Sequence, residues 1–561
     1  MPRGYFTFVL HTHFPYVREA GLWPFGEETL HEVMAETYLP LLNALYDLRE
    51  QEYPARLTLG ITPILLEQLA DPAVGSRFRT FLERELSAAQ ADLRRFEASG
   101  EVQRAELARF YQNFYRDLLN SYLERFGGDL VGAFRRLQEE GVIEILTSGA
   151  THGYLPLLER DSSIYGQLKV GVESYRKCWG TSPRGIWLPE LGYRPPHMEG
   201  SGRYKPGLEE FLAELNIHYF FADTHALTGG PLLGKAAGDV RGPYAAVPRR
   251  ILVIRSEERP EAAKGITFRP YFVHGSGVAV MAPNQRTSLQ VWSATHGYPG
   301  DAHYREFHRK DEASGLQYWR VTGPGVDLGA KELYDPQRAR ERVQEHARHF
   351  VHLVREELDN YARGGTPPGI VIAAYDTELF GHWWFEGVDW LKEVLRLLAR
   401  QGEVETTTAS TYLERYPPQE VLALPESSWG EGGGHHTWLN PDTEWVWPLI
   451  YRAERWMEEL AAQHPDAERD LREILNQAVR ELLLLQSSDW PFLISTGQAQ
   501  AFAEARFQAH LARFHHLALM AEDGRIRPED IDYLESISEL DNPFPQIDYR
   551  YFAEREGVLA P

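Results

Sequence analysis

Two carboxylate residues stand at the ends of two strand-like runs of this sequence. Glu190 ends the run Gly185-Ile-Trp-Leu-Pro-Glu190, and Asp376 ends the run Gly369-Ile-Val-Ile-Ala-Ala-Tyr-Asp376. Aromatic residues follow both runs, among them Tyr193, Trp383 and Trp384. A pair of carboxylates beside aromatic rings suits chemistry at glycosidic bonds, because one can act as nucleophile and the other as acid and base. The two residues are far apart in the chain, so only the fold can bring them together.

Further polar residues follow other strand-like runs at equivalent places. Taken singly, each is most simply a solvated surface residue. Their shared placement argues for one site, because active sites of parallel barrels lie at the carboxyl ends of the strands. These residues are His11, His13, the segment 148–152 with His152, Asp223 and His225.

The segment His11-Thr-His-Phe-Pro15 is open to three interpretations. Two histidines on one face of a strand end can bind a metal, and His152, His225 and Asp376 would then complete a ligand set for a metal hydrolase. The histidines can instead hydrogen-bond a sugar and orient a carboxylate. They can also serve in structural hydrogen bonds alone. Residue types and spacing leave all three open.

Up to about residue 415, strand-like and helical runs alternate, which is typical of repeated βα units. Because polar residues follow so many of the strands, a closed barrel is favoured over an open sheet. We therefore predict an α/β fold with a seven-stranded (β/α) barrel over residues 1–415. The predicted strands are residues 5–10, 56–61, 142–147, 185–188, 218–222, 287–292 and 369–374.

Three segments depart from this alternation. Residues 76–126 are charged and helical throughout, which predicts an inserted helical hairpin that turns near Ser99 and Gly100. Residues 229–286 are rich in Gly, Pro and Arg, which predicts a loop excursion, with a hairpin within 250–280, that shapes the mouth of the site. Residues 416–561 are predicted to form an all-helical C-terminal domain that contributes to the active site.

Composition excludes several classes of partner. The formal net charge of −23 over 561 residues argues against nucleic acid and against anionic membrane surfaces, because both need a basic face. Cys178 is the only cysteine, which precludes an internal disulfide and favours a reducing, cytoplasmic setting.

The apolar run 5–10 is too short for a signal peptide, and no apolar stretch approaches the roughly 18 residues of a membrane span. The 14 Trp and 28 Tyr residues suit core packing as readily as sugar binding.

Five segments together resemble the signature regions of glycoside hydrolase family 57. Three further segments, Trp23-Pro-Phe-Gly-Glu-Glu28, Leu289-Gln-Val-Trp-Ser293 and Gly297-Tyr-Pro-Gly300, resemble the 1,4-α-glucan branching enzymes of that family. The resemblance covers nearly the whole chain, in order. The five signature segments are His11-Thr-His-Phe-Pro15, Thr147-Ser-Gly-Ala-Thr-His-Gly-Tyr154, Trp187-Leu-Pro-Glu-Leu-Gly-Tyr193, Tyr375-Asp-Thr-Glu-Leu-Phe-Gly-His-Trp-Trp384 and Ser488-Asp-Trp-Pro-Phe492.

The resemblance implies a role for each matching residue. Glu190 would be the nucleophile and Asp376 the acid and base, while Glu27 and Glu378 would take neither role. Glu378, two residues past Asp376, would serve as a supporting hydrogen-bonding group. The resemblance implies no metal and no cofactor. The remaining residues would contact substrate: His11, His13 and His152 by hydrogen bonds around the reacting carbon; Trp292, Trp429 and Trp438 by stacking on glucose rings; Gly300 by lining the site; and Asp489, Trp490 and Gln498 by reaching back from the helical domain.

The resemblance also implies an activity. We expect a retaining 1,4-α-glucan branching enzyme acting on amylose and glycogen, and leave its oligomeric state open. The alternatives within the family are an α-amylase or a 4-α-glucanotransferase, which would release reducing ends or lengthen linear chains without forming branches. A catalytically dead glucan-binding protein would bind amylose without turnover.

The sequence departs from related branching enzymes before Trp292. Where they carry an Arg about nine residues before this tryptophan, Pro283 stands here, and Arg286 would substitute only if the local backbone shifted. Residues 229–286 also lack an obvious match to the tyrosine-bearing gating loop of the family, for which Tyr244 is the nearest candidate. These departures bear on the ratio of transfer to hydrolysis and leave the carboxylate pair intact.

Overall fold

A computed structural model describes residues 2–18, 20–21, 26–200, 202–230, 232–235, 264–293, 297–363 and 368–555. Tyr244, the segment 22–25 and most of the predicted excursion lie outside the described residues. The strands are β1 (Gly4–Thr12), β2 (Leu57–Ile61), β3 (Ile143–Leu146), β4 (Gly185–Ile186), β5 (His197–Met198), β6 (Tyr204–Lys205), β7 (Tyr219–Phe221), β8 (Leu232–Lys235), β9 (Tyr271–Val273), β10 (Ala279–Met281), β11 (Ile370–Asp376), β12 (Val404–Thr406) and β13 (Glu420–Leu422).

Helices connect most of these strands and make up the C-terminal region. In the first 415 residues they are α1 (Glu27–Val33), α2 (Leu39–Glu50), α3 (Pro63–Leu69), α4 (Pro72–Ser99), α5 (Val102–Asn120), α6 (Leu130–Glu139), α7 (Asp161–Trp179), α8 (Leu208–Glu214), α9 (Thr224–Gly229), α10 (Gln285–Trp292), α11 (Pro336–Ala362), α12 (Gly387–Gln401) and α13 (Ala409–Arg415). After them come α14 (Val446–Gln463), α15 (Arg469–Leu485), α16 (Asp489–Thr496), α17 (Gln500–Asp523) and α18 (Pro528–Leu540).

The strands form two main sheets that meet at both ends. The first has the order β11-β1-β2-β3, with β12 also paired to β1, and the second has the order β4-β7-β10-β9-β13-β8. A parallel bridge between Thr147 and Ile186 joins β3 to β4. The Asn284 amide donates to the Ile372 carbonyl at 2.8 Å, which joins the end of β10 to β11. All nine residues of β1 are buried, as expected of a parallel strand covered on both faces.

One predicted strand is wrong. Residues 287–292 belong to helix α10, and the strand that pairs in parallel with β7 is β10, Ala279–Met281. The alternation of Leu289 and Val291 with polar neighbours matched a strand period. Asn284 overrides it, because its side chain accepts a hydrogen bond from the Thr287 amide at 3.0 Å and so caps a helix.

The segments that depart from the strand–helix alternation also differ in detail from the prediction. Helices α4 and α5 pack as a hairpin whose turn falls at Gly100, which has a φ of +74°. A short hairpin joins β9 to β10, with Phe272 opposite Ala279. Residues after 416 are not all helical, because β13 pairs with β8 and β9 in the second sheet. The helical region therefore begins at α14.

Among the described residues, we find no helix with the length and apolar character needed to cross a membrane.

We predict that Asn284→Ala loosens α10 selectively. The change removes the helix cap and a 2.8 Å hydrogen bond from the amide group to Glu357, and a lost cap costs about 1 kcal/mol. Hydrogen exchange of the Thr287 amide should accelerate, while exchange in β1 stays unchanged. Gln285→Ala, an exposed change one residue later, is the control. Equal exchange rates in the two variants would contradict the cap assignment.

Candidate active site

The two carboxylates predicted from sequence both follow strands whose carboxyl ends meet. Asp376 is the last residue of β11 and pairs in register with His11 of β1. Glu190 follows β4 in a short turn and has a left-handed backbone, with φ of +60° and ψ of 22°. Leu191 is also left-handed, with φ of +49°. Such conformations are costly for residues other than glycine, so the surrounding structure must hold this turn in place.

Two hydrogen bonds hold the Glu190 carboxylate. The Trp429 indole N–H donates to Oε2 at 2.8 Å, and the Ser488 hydroxyl donates to Oε1 at 3.0 Å. Burial raises the pKa of Glu190, while these two donors act in the opposite direction by stabilising the charged form. The carboxylate is therefore fixed by groups from outside the strands, Trp429 in a loop and Ser488 at the start of helix α16.

The histidines predicted to contact substrate form a hydrogen-bonded chain that leads to Glu190. His152 Nδ1 lies 2.9 Å from the Ser488 hydroxyl, and His152 Nε2 lies 3.1 Å from His11 Nε2. Because Ser488 donates to Glu190, the chain assigns a proton to Nδ1 of His152 and another to Nε2 of His11. Burial lowers the pKa of both histidines well below the usual value, and the charge of His13 lowers it further. Both rings are thus neutral donors.

His13 has a different environment from the other two histidines. Its Nε2 lies 3.0 Å from Oδ1 of Asp489, and its Nδ1 lies 2.9 Å from the Thr62 hydroxyl. Burial lowers the pKa of His13, but the charge and hydrogen bond of Asp489 outweigh burial, and the net shift is upward. His13 also stacks on His152 with ring centroids 3.9 Å apart.

One group of residues has the composition of a metal site. Ligand atoms of His13, His152 and Asp489 lie within 4.8 Å of one another. Both ring nitrogens of His13 and of His152 are nevertheless hydrogen-bonded to protein groups, which leaves no lone pair free for an ion. His225, another proposed ligand, lies 2.8 Å from Asp223 and is exposed, and within the described ranges no recorded contact links it to the other histidines. The donor set therefore fits hydrogen bonding better than coordination.

Asp376 lies in surroundings that favour its protonated form. Burial raises its pKa well above the usual value, and the charges of Glu378 and Glu190 raise it further. Over the residues it describes, the structure records no hydrogen-bond donor to this carboxyl group. Glu190, by contrast, accepts two hydrogen bonds. The environments of the two carboxylates thus differ in the way that separates a nucleophile from a proton donor.

Glu378 lies beside Asp376 and is tied to the protein. It accepts hydrogen bonds from the Tyr38 hydroxyl at 2.5 Å and from the His13 amide at 3.2 Å, and burial raises its pKa to about 7. The loop after Asp376 approaches the helical turn Met34–Tyr38 closely, since a Cβ at Gly381 would lie 1.8 Å from the Glu36 carbonyl oxygen. This close approach lets Tyr38 reach Glu378.

A cleft leads away from Glu190 between a loop and helix α16. It has a volume of about 580 Å³, and its lining includes Trp429, Trp438, Asn440 and Phe492. Trp438 is 1% exposed and stacks on Tyr154 with centroids 4.2 Å apart, so it supports the wall. The cleft's aromatic and polar lining is typical of a site for a small neutral ligand.

The remaining predicted contact residues fall into two groups. Trp292 is 43% exposed at the end of α10, 6.2 Å from the Tyr375 ring, and Gly300 and Gln498 are also exposed. Trp490 is 1% exposed, and its indole N–H donates to the Leu484 carbonyl, so it packs inside the helical region. Because its faces are covered there, Trp490 does not reach the cleft as predicted.

Arg286 does not take the place of the arginine that Pro283 replaces. Its guanidinium bonds Glu356 at 2.9 Å and Glu357 at 3.2 Å on α11, and it is exposed on the outside of the fold. The prediction required a shift of the local backbone, and helix α10 instead carries Arg286 toward α11. Glu27 likewise lies outside the cluster, bonded to Arg77 at 2.5 Å.

Three residues of the site were not predicted from the sequence. Ser488 orients Glu190, Thr62 binds His13, and Tyr38 binds Glu378. Ser488 had a signal, because it directly precedes Asp489 in one of the signature segments. Thr62 follows strand β2, where other polar site residues follow their strands. Tyr38 lies in a helix and had no comparable signal.

We predict that Trp429→Phe shifts the pH dependence of catalysis. The change removes the donor to Glu190 Oε2, which stabilises the ionised carboxylate, so the pKa of Glu190 should rise. Because a nucleophile must be ionised, the acid limb of the kcat/KM profile should move to higher pH. A hydrogen bond to a charged group is worth enough to lower kcat/KM about tenfold.

Trp438→Phe is the matched control for this change. Its indole N–H is buried and has no hydrogen-bond partner among the described residues, so the same substitution removes no bond. An acid limb that shifts equally in both variants would show that ring size, and not the bond to Glu190, is responsible.

Comparison with known proteins agrees with this geometry. The sequence model of "Glycosyl hydrolase family 57" matches residues 7–425, and that of "1,4-alpha-glucan branching enzyme, C-terminal" matches residues 449–552. The chain is 45% identical to a 1,4-alpha-glucan branching enzyme of Thermococcus kodakarensis, over 99% of this chain and 80% of the relative.

Solved structures give the same result. A crystal structure of the T. kodakarensis branching enzyme, in complex with glucose and additives, has a TM-score of 0.88 at 43% identity, covering 99% of this chain and 97% of that one. A branching enzyme from Pyrococcus horikoshii has a TM-score of 0.87 at 42% identity, covering 100% and 98%. The α-amylase AmyC from Thermotoga maritima has a TM-score of 0.82 at 30% identity, covering 99% and 100%. With a family model matched over residues 7–425 and a relative 45% identical over 99% of this chain, this chain belongs to glycosyl hydrolase family 57.

Proposed function

We propose that this protein is a retaining 1,4-α-glucan branching enzyme, which cleaves α-1,4 links of amylose or glycogen and joins the freed chain to a 6-hydroxyl as an α-1,6 branch. The observation that carries the chemistry is the contrast between Glu190, held by two donors, and Asp376, to which the described part of the chain supplies no donor and whose pKa is raised by burial. The choice of substrate rests on similarity to branching enzymes in both parts of the chain.

The first half-reaction uses the two carboxylates in different roles. Glu190 attacks the anomeric carbon while Asp376 donates its proton to the leaving oxygen, so the bond to the leaving glucan breaks as the bond to Glu190 forms. A retaining mechanism requires the carboxyl groups to be about 5–5.5 Å apart. The neutral donors His11 and His152 keep the Glu190 carboxylate oriented through Ser488.

The second half-reaction determines the product. Asp376, now ionised, removes a proton from the acceptor hydroxyl, which attacks the anomeric carbon and releases Glu190. A glucan 6-hydroxyl gives a branch, whereas water gives hydrolysis. A branching enzyme must therefore exclude water and hold an acceptor chain. We assign this role to the aromatic and polar lining of the cleft.

The substrate contacts follow from this placement. We assign stacking to Trp429 in the cleft and to Trp292 at its exposed edge, with Trp438 supporting the wall. Of the three histidines, His11 has a ring nitrogen left to accept a hydrogen bond from the sugar, because its Nδ1 has no partner among the described residues. Both ring nitrogens of His13 and His152 are bonded to protein groups, so these two rings position their neighbours beside the reacting carbon, and Asp489 holds His13. Gly300 and Gln498 lie on exposed segments that a long glucan would cross. Trp490, the second residue of α16, anchors the start of that helix through its packed ring and its hydrogen bond to the Leu484 carbonyl.

We infer a closed seven-stranded barrel from the strand contacts. Strands β1, β2, β3, β4, β7, β10 and β11 follow one another in the two sheets, and the links from β3 to β4 and from β10 to β11 complete the circuit. Short strands at the two links account for the separation into two sheets.

An α-amylase is the second candidate, because AmyC shares the fold at 30% identity. It would use the same two carboxylates and differ only in admitting water to the intermediate. The replacement of an arginine by Pro283, with Arg286 turned toward α11, falls in the region where the two activities would differ.

We predict that amylose treated with the pure enzyme gains α-1,6 linkages with few new reducing ends. Proton NMR resolves both anomeric signals in one sample. Reducing ends that accumulate without α-1,6 signal would assign hydrolysis instead and would leave both carboxylate roles intact.

We predict different defects for the two carboxylate variants. Asp376→Asn should lower the rate on amylose roughly 10²–10⁴-fold, the usual contribution of general acid–base catalysis. It should still form the covalent intermediate from a maltosyl fluoride, because fluoride leaves without a proton. Glu190→Gln should form no intermediate from either substrate, which mass spectrometry of the intact protein measures.

Glu459→Gln is the matched control, since this exposed carboxylate of α14 lies outside the lining of the cleft. It should retain near-normal rates on both substrates. Accumulation of intermediate in Glu190→Gln, or its absence in Asp376→Asn supplied with the fluoride, would reverse the assigned roles.

A further inference from the structure

A second cavity lies between the inserted helical hairpin and the barrel. Its volume is about 440 Å³, and α2, α5 and α12 contribute to its walls. Glu36 lines it, whereas Tyr38, two residues later on the same helical turn, bonds Glu378 beside the catalytic pair. One helical turn thus contributes to two separate sites.

Three half-buried phenylalanines form an apolar wall of this cavity. Phe110 and Phe114 of α5 are nearly parallel at 6.5 Å, and Phe385 lies 5.3 Å from Phe114. The Arg305 guanidinium packs over the Phe385 ring at 3.9 Å and fixes it. Concave aromatic walls with a few placed polar groups are the usual composition of small-molecule sites.

A buried carboxyl group at the cavity has an unused oxygen. Glu386 is 4% exposed, and its Oε1 accepts from the Tyr334 hydroxyl at 2.6 Å and the Arg305 amide at 3.1 Å. Its Oε2 has no hydrogen-bond partner among the described residues. This oxygen is closed off from the cavity, so the polar groups that a ligand can reach are exposed ones of the lining, such as Asn113 and Asp117. Burial raises the pKa of Glu386 to about 7, and its neutral form can both donate and accept.

The charged groups around the cavity indicate a neutral ligand. Glu36 is paired with Arg305 at 2.7 Å, and Asp47 with Lys392 at 2.7 Å. The remaining lining groups include Asn113, Asp117, Asp389 and Arg340, which have mixed charge and present both donors and acceptors. This arrangement disfavours anions such as phosphates. It suits a ligand with an apolar ring face and several hydroxyl groups.

We propose that this cavity is a second α-glucan-binding site, remote from the catalytic pair. A glucose ring would pack on Phe110 and Phe114, with its hydroxyls bonded to the exposed side chains of Asn113 and Asp117 on the same helix. The proposal rests on the proposed function for the nature of the substrate. Because glucans are long, a chain held here would raise the effective concentration of its other segments near the cleft.

The test compares variants of cavity residues in an enzyme that cannot cleave glycogen. In the Glu190→Gln background, affinity for glycogen is measured by migration in native gels containing glycogen. Phe114→Ala and Asn113→Ala should each weaken it, the former about tenfold, as expected for one aromatic anchor. Leu119→Ala is the control, since this half-buried residue of α5 lies outside the cavity and should leave affinity unchanged.

Activity separates this proposal from the proposed function. With Glu190 restored, Phe114→Ala and Asn113→Ala should process maltosyl fluoride at the normal rate, because its reaction depends on the two carboxylates and neither variant residue lines the cleft beside Glu190. Unchanged glycogen affinity in both variants, or equal loss in Leu119→Ala, would overturn the second site even if branches form. Asn113 is exposed, so its variant decides the matter if Phe114→Ala does not fold. Absence of branches with the parent enzyme would overturn the proposed function alone.

Discussion

The structure depends on keeping one carboxylate charged in a place with little water. Removing an ionised group from water is costly unless hydrogen bonds replace its hydration. For Glu190 those bonds come from Trp429 and Ser488, in a loop and at a helix start far along the chain. The sheet positions Glu190, whereas the loop that carries Trp429 and the helix that follows Ser488 stabilise its negative charge. The loop and the helices that follow the strands therefore act directly on the chemistry of Glu190.

The same constraint accounts for the histidines. The Ser488 hydroxyl gives its own proton to the hydrogen bond with Glu190, so toward His152 its oxygen can only accept, and Nδ1 of His152 is the donor. His152 in turn needs a donor, which is His11. Burial keeps both rings neutral, so the chain adds hydrogen bonds without adding charge. The one histidine whose pKa is raised, His13, has Asp489 as its own counter-charge.

The sequence predicted the chemistry of the site better than its boundaries. Strand ends followed by carboxylates are a local pattern, so Glu190 and Asp376 were recognised from the residues. The strand 279–281 was missed because three residues are too few to show the alternating pattern of a strand. Leu289 and Val291 show that pattern by chance within helix α10, whose start is fixed by the Asn284 cap. Trp490 was misplaced because an indole has the same sequence signal in a core and on a binding surface. Which face a ring presents is decided by packing that only the fold reveals.

The position of Ser488 late in the chain has a consequence for the nascent protein on the ribosome. During synthesis the paired strands β1, β2, β3 and β11 of the first sheet emerge before the helical region, and they are complete by residue 376. A nascent chain in which these strands have already paired would still lack the hydroxyl that holds Glu190. Competence to cut glucan would then arise only after more than a hundred further residues have left the ribosome and the helices have docked. An incompletely synthesised chain would therefore not cleave the glucan that surrounds it.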